Sequence, residues 1–328
     1  AEQAAPGSER SATQTRFHWD SGVLERMMRL GLACLAVAFL VFALTSPFAI
    51  LDFWRFVLQI GEQGAMVRGI ADFPYTRQYR NTPAYIYQIE QQLRWGMGWP
   101  LGLAAFAGLA YFVLRNLRRP RWGDALILAW VLPYFLINGG FMVKFMRYML
   151  PLLPFLSLMG AELLWQLWGA FHNIKGEISF RQWRFRPVWI ITALIALVLF
   201  SSLAYSLAFV SIYGRTHTWI AASRWIYDNI PKGATLAVEH WDDHLPKGLP
   251  EPGLNSGTYG YKQLELPMYE PDTREKFRLV RDILRRSNYI ILATNRLYRT
   301  IPRLPKRYPV STEYYRLLFA GELGFEEV

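Results

Sequence analysis

The stretch PYTRQYRNTP gathers Tyr75, Arg77, Tyr79 and Arg80, and the turn VKFMRYMLPLLP adds Lys144, Arg147 and Tyr148. Guanidinium forks and phenol hydroxyls are donors suited to the oxygens of a phosphate or diphosphate, so both groups are candidates for holding the phosphate of a lipid. Two plainer roles fit the same residues. The loop can touch ordinary membrane headgroups, and the turn can be a pair of cations reaching out from a helix end. Pro151 and Pro154 would then lie in the first turns, where a missing N–H costs least.

A third polar group is the cluster Glu239, His240, Trp241, Asp242, Asp243 and His244, directly after the short apolar run ATLAVE. It is a candidate for contact with an acceptor or a sugar. The two histidines with a carboxylate also suit zinc or another divalent cation. No HExxH or CxxC pattern accompanies them, and capping and solvation of a loop is the third use of such residues. The chain has no GxxxxGKS loop, no GxGxxG after a strand and no GxSxG elbow, which disfavours nucleotide hydrolysis and serine-hydrolase chemistry.

The elements that would position these residues are set by composition. Of 328 residues, 52% are hydrophobic, 16% aromatic and only 19% charged, a balance too apolar for an ordinary soluble domain. The net charge of +11 is not the footprint of nucleic-acid binding, because the Lys and Arg residues sit at the ends of apolar runs. Cys34 is the sole cysteine and lies inside one of those runs.

Five stretches have the roughly 20 residues needed to cross a bilayer: Met27 to Ser46, Met97 to Leu114, Ala125 to Val143, Tyr148 to Trp168 and Val188 to Tyr213. The second, rich in Gly and Ala, suits close packing inside a bundle. Glu162, within the fourth, is a carboxylate expected either to face the bundle interior or to snorkel. Trp54, Trp95, Trp99, Trp122, Trp165, Trp168 and Trp189 fall near span ends, as interfacial anchors do.

Direction follows from the basic turns. Arg115, Arg118, Arg119 and Arg121 fill one connection and Lys175, Arg181, Arg184 and Arg186 another, and Arg26 and Arg29 flank the first span. These ends are expected in the cytoplasm by the positive-inside rule. The chain is thus expected as a plasma-membrane protein with a polar N-terminal segment 1–26 inside and a transmembrane domain 27–213 with an outer loop 47–96. An extracytoplasmic domain, 214–328, would follow. In the loop, DFWRFVLQIGEQGAMVRGI has the spacing of an amphipathic surface helix. The last domain reads helix, strand, helix, strand, helix, from TWIAASRWIYDNI through ATLAVE, TREKFRLVRDILRRS and NYIILA to TEYYRLLFAG, which predicts a small α/β layer with parallel strands. The Pro/Gly-rich segment between ATLAVE and TREKF is expected as a loop at the strand's C-terminal end, where such sheets bind ligands.

Several of these strings together, TSPFAILD, PYTRQYRNTPAYIY, KFMRYMLPLLPFL, ASRWIYDNIPKGATLAVEHWDD and YYRLLFAGELGFE, resemble bacterial membrane glycosyltransferases of the GT-C class, in the protein mannosyltransferase and aminoarabinose transferase superfamily. The resemblance implies transfer of a sugar from a polyprenyl phosphate or diphosphate to an acceptor outside the cytoplasm. It also implies that Arg77 and Arg80 border the lipid phosphate and that Lys144, Arg147 and Tyr148 close it. The family's catalytic acidic residue lies in an earlier outer loop with no counterpart in this sequence. Asp52 and Asp72 match a later loop, and neither is assigned as the base. The chain is accordingly expected to be the rear part of such an enzyme, unable to transfer sugar alone. The alternative is a non-catalytic membrane subunit that binds a lipid or another membrane subunit through the same scaffold. A transporter is disfavoured, since broken helices with paired intramembrane charges are not evident.

Overall fold

The computed structural model describes residues 21–328 apart from Lys175, Glu177, Arg181, Gln182 and Asp242. The chain divides after Gly64 into two compact units. Residues 1–20 of the expected polar N-terminal segment, and two of the four cations of the second basic connection, Lys175 and Arg181, lie outside the described residues.

The first unit holds α1 (Ser21–Thr45), α2 (Phe48–Leu51) and most of α3 (Phe53–Arg68). α1 begins six residues before the expected span, inside the segment read as a polar tail. Its Leu32, Leu35, Val37 and Phe39 side chains are exposed. A helix apolar all round requires lipid or another helix about it. α3 is the helix expected from the spacing of Phe53, Phe56, Val57 and Ile60.

In the second unit come α4 (Ile86–Gln91), α5 (Trp99–Arg118), α6 (Trp122–Gly140), α7 (Leu153–His172), the hairpin strands β1 (Ile178–Phe180) and β2 (Trp183–Phe185), and α8 (Val188–Ser211). Together with α1, the helices α5, α6, α7 and α8 make five that are long and apolar enough to cross a membrane. α6 stops at Gly140, three residues short of the expected end, where the chain turns extended at Phe141 and Tyr85 packs against Gly139 and Gly140. A Cβ on Gly139 would stand 2.7 Å from the Tyr85 ring, and the Gly139 carbonyl accepts the Tyr85 N–H at 3.0 Å. The antiparallel pairing of β1 with β2 in the second basic connection was not expected from its sequence.

The small residues of α5 act as predicted. A Cβ on Gly108 would lie 2.3 Å from the Met159 backbone, and one on Gly160 would lie 3.0 Å from that of Ala104. α5 and α7 therefore meet backbone to backbone. Around this crossing Ala105, Phe112, Leu128, Val131, Met149, Leu152, Leu156 and Met159 form the bundle core. Glu162 of α7 does have a partner: Arg115 of α5 donates Nη1 to it at 2.9 Å, and gives Nε and Nη2 to Asp124 of α6, each at 2.8 Å. Three helices are thus joined by one guanidinium that also stacks on Phe112.

The chain ends in α9 (Thr218–Asn229), β3 (Thr235–Glu239), α10 (Ser256–Tyr259), β4 (Lys262–Leu266), α11 (Arg274–Arg286), β5 (Tyr289–Ile291) and α12 (Pro309–Phe319). The sheet order is β4-β3-β5, all parallel, with Ala237 opposite Leu264 on one side and Ile290 on the other. β4 corrects the reading of its segment as loop alone. KQLEL alternates polar with apolar residues and buries only its end, Leu266, fully, as suits an edge strand. α11 starts where the Thr273 side chain accepts the Lys276 N–H, an N-cap, and buries Val280 and Ile283. Those two pack with Leu266, Met268, Leu297, Ile301, Tyr308 and Tyr315 in the core beside the sheet.

Candidate phosphate-binding site

Two segments distant in sequence make one aromatic cluster. After α3 the chain turns at Gly69, whose φ of +77° suits glycine, and enters a 3-10 turn at Pro74–Tyr79. Its rings meet those of the turn between α6 and α7. The Tyr79 ring stands edge-on to Phe145 at 5.3 Å and to Tyr87 at 6.0 Å, and Phe145 stands edge-on to Tyr148 at 5.5 Å. Met66 and Val143 are buried with them, and the Tyr75 hydroxyl reaches the Met66 sulfur at 3.1 Å. The structure therefore brings the PYTRQYR and KFMRY groups together.

The four cations in these groups have different fates. Arg77 is 8% exposed. It donates Nη2 and Nε to Asp72 at 2.9 and 3.2 Å, and Nη1 to the Tyr269 carbonyl and Tyr308 hydroxyl at 2.9 and 2.6 Å. Arg80 donates to the other Asp72 oxygen at 3.0 Å, and Arg307 joins from the chain's end at 2.7 Å. Burial by itself would raise the Asp72 carboxyl. Hydrogen bonds from the three guanidiniums outweigh it and hold the group well below the usual carboxylate range. Lys144 is buried, with its ammonium on the Thr82 hydroxyl and the Met142 carbonyl, and burial lowers its pKa.

Arg147 differs from the other three. It is exposed, its guanidinium stacks 4.1 Å from the Phe145 ring centre and 5.8 Å from that of Tyr148, and among the described residues it pairs with no carboxylate. Stacking fixes the plane of the fork and leaves its N–H groups for an anion. The Tyr79 phenol beside it is pushed up by burial and then by the neighbouring Tyr87, so it stays protonated as a donor. Tyr148 is half-buried, and its carbonyl accepts the Tyr134 hydroxyl at 2.9 Å.

The polar cluster after β3 does not converge on one point. Glu239 is buried and accepts the Tyr315 hydroxyl. The Nε2 atom of buried His240 accepts the Tyr269 N–H at 2.6 Å. Burial, aided by Lys276 and Arg77 nearby, pushes this imidazole down to about 4. Trp241 is exposed, in a left-handed conformation of φ 65°, and its carbonyl accepts from Arg296. Asp243 is exposed and paired with Lys247 at 2.8 Å, and Asp242 lies outside the described residues. With the His240 Nε2 lone pair occupied by a backbone N–H, the candidate pairing of His240 with His244 on a divalent cation, one of the three uses open to this cluster, is not assembled. Among the described residues no group of three His, Cys, Asp or Glu side chains is placed to hold a metal.

Sequence reasoning did not single out Asp72 as a hub, nor Arg307, Tyr308, Tyr269 and Arg303 as its surroundings. The one local signal was an aspartate five residues before Arg77. No protein-family model, curated protein or solved structure matches the chain.

Proposed function

We propose that the chain serves a membrane glycosyltransferase of the GT-C class, and that Arg147 holds the phosphate of a polyprenyl-linked sugar donor at the outer face. The observation that carries this reading is the state of Arg147, an exposed guanidinium stacked on Phe145 with no carboxylate partner among the described residues. Its place next to the start of an apolar helix suits a ligand whose tail lies in lipid and whose phosphate lies at the boundary. Tyr79 and Tyr148 would add donors or walls. Arg77, Arg80 and Lys144 would act at a remove, by holding the loop and the turn in shape.

On this reading the α/β layer at the C-terminal end stands outside the cytoplasm, on the side of the loop it binds through Arg77. One observation favours the alternative of a non-catalytic lipid-binding subunit. Asp72, the acidic residue nearest these arginines in sequence, has both oxygens engaged by guanidiniums and is a poor general base.

The test is binding of a radiolabelled prenyl monophosphate to the purified protein in lipid nanodiscs. One charge-assisted phosphate contact contributes about 1.5 to 3 kcal/mol. Arg147→Ala should therefore weaken binding roughly 10- to 100-fold, and Arg118→Ala, at the opposite end of the bundle, should not. Equal binding by all three proteins would remove the site.

A further inference from the structure

Between α11 and α12 runs a groove of about 380 Å³. Each helix lends it one face: Phe277, Val280 and Leu284, at i, i+3 and i+7, from α11, and Val310, Tyr314 and Leu317, at i, i+4 and i+7, from α12. Val280 and Tyr314 are buried, and the other four are open to solvent in part. Beside the apolar row of α11 lies a row of arginines, Arg274, Arg278, Arg281 and Arg285, at i, i+4, i+7 and i+11. All four are exposed, and among the described residues none pairs with a carboxylate. Arg281 and Arg285 stand on the groove itself. Other arginines of these helices differ, Arg286 being paired with Asp282 at 3.1 Å and Arg316 with Glu313 at 2.7 Å. Glu313 also borders the groove, and Arg316 already reaches both of its oxygens. The charge along the groove is therefore that of the α11 row.

We infer that this groove is a docking site for an acidic amphipathic helix of a partner protein, whose apolar side chains enter the groove while its carboxylates pair with the arginine row. The inference is independent of the Arg147 site. An apolar trough flanked by one sign of charge is the complement of a helix with an apolar stripe beside an acidic one. A cavity of about 150 Å³ accepts benzene, so the groove accepts roughly two or three side chains. The row spans about 16 Å, from a helical rise of about 1.5 Å per residue, and Asp or Glu at i, i+4, i+7 and i+11 of a partner helix repeats that spacing. A membrane surface fits less well. Apolar side chains that enter a bilayer project from the protein, whereas these are recessed between two helices. Exposed charges at a rim add specificity and rate more than affinity, so the groove supplies the hold and the row the choice of partner.

The probe is a fluorescein-labelled synthetic helix with Leu at i, i+3 and i+7 and Glu along the adjoining face, compared with a permuted peptide of the same composition. Both are titrated against the whole protein in phosphatidylcholine nanodiscs and followed by fluorescence anisotropy. The patterned peptide should bind roughly 10-fold more tightly than the permuted one. Arg281→Gln combined with Arg285→Gln should weaken its binding about 5- to 10-fold, the loss of two exposed ion pairs. Val310→Gln should weaken it about 3-fold through lost apolar contact. All three substituted side chains are exposed, so the fold does not depend on them. No binding of the patterned peptide, or equal binding of the two peptides, overturns the inference. Undiminished binding by either variant does so too, by placing the peptide elsewhere. Phosphatidylglycerol nanodiscs supply the remaining arm: if they abolish peptide binding, the arginine row lies on its own bilayer, and the membrane replaces a protein as its partner.

Discussion

Arg77 and His240 meet on opposite sides of one peptide segment: Arg77 donates to the Tyr269 carbonyl at 2.9 Å, and His240 accepts the Tyr269 N–H at 2.6 Å. One group comes from the loop before α4 and the other from the end of β3, so Tyr269 ties the loop to the parallel sheet. The tie continues inward. Lys276, buried, donates to the Met268 and Glu270 carbonyls on either side of Tyr269, and to Asp272 and Ser311. A backbone segment satisfied in this way by side chains cannot slide without leaving buried polar groups unpaired.

The first prediction concerns pH. His240 must be neutral to accept the Tyr269 N–H, and its folded pKa of about 4 lies below the value near 6.5 of an unfolded histidine. The unfolded chain therefore binds a proton first as pH falls. The stabilisation is complete above about 6.5 and is lost progressively down to about 4, on the order of 3 kcal/mol in total. His240→Gln retains an acceptor and does not titrate. The difference in melting temperature between the two proteins in detergent should change between pH 7.5 and pH 4.5, and a pH-independent difference would contradict the assignment.

A second prediction separates the arginines on Asp72. Asp72→Asn leaves Arg77 buried without its counter-charge and should cost about 2 to 3 kcal/mol, below the usual range for a buried pair because the Asp72 side chain is 30% exposed. Arg307→Ala removes an exposed partner from the same carboxylate and should cost less than about 1 kcal/mol. Chemical unfolding of both variants in the same detergent checks the order, and equal losses would mean that Arg77 does not depend on Asp72.

Helix packing gives a third. Gly108→Ala sets a methyl group against the Met159 and Gly160 backbone, at distances near 2.3 to 2.4 Å, so α5 and α7 must separate, at a cost of about 1 to 3 kcal/mol or more. Gly123→Ala meets nothing within 4 Å and should be neutral or stabilising by up to about 1 kcal/mol through helix propensity. Thermal unfolding of both should differ in sign or by several degrees.

Membrane-scale patterns were easier to read from the sequence than pairings. Apolar runs of twenty residues are continuous, and so the long helices and the Gly-rich α5 were legible. The partners of individual charges were not. Glu162 is one helix away from Arg115, 47 residues apart in sequence, and Arg307 reaches Asp72 across 235. Arg77 and Arg80 looked available because residue types do not reveal that a 3-10 turn aims both at an aspartate just upstream. Arg147 was named as one cation among four, and only its stacking on Phe145, with the other three occupied, sets it apart. β4 was hidden by its shortness, five residues that open on Lys262 and Gln263 between turn-rich flanks, and Arg303 by a segment with no marked pattern at all.

The last prediction is the orientation of the chain. Arg115, Arg118, Arg119 and Arg121 crowd the connection between α5 and α6, and such turns remain in the cytoplasm because moving their charges across the bilayer is unfavourable. α6 then carries the chain to the other side, where the Arg147 turn, the loop of residues 69–85 and the α/β layer they touch should lie together. The sole cysteine, Cys34, is exposed, so Cys34→Ser gives a background for labelling. Cysteines placed at exposed Lys262, Glu275 and Arg119 would be treated in intact cells with a membrane-impermeant maleimide small enough to pass any outer envelope. Lys262→Cys and Glu275→Cys should label at once, and Arg119→Cys only after the membrane is opened. Labelling at Arg119→Cys alone would invert the chain, place the Arg147 turn in the cytoplasm, and end the proposal that it meets a donor at the outer face.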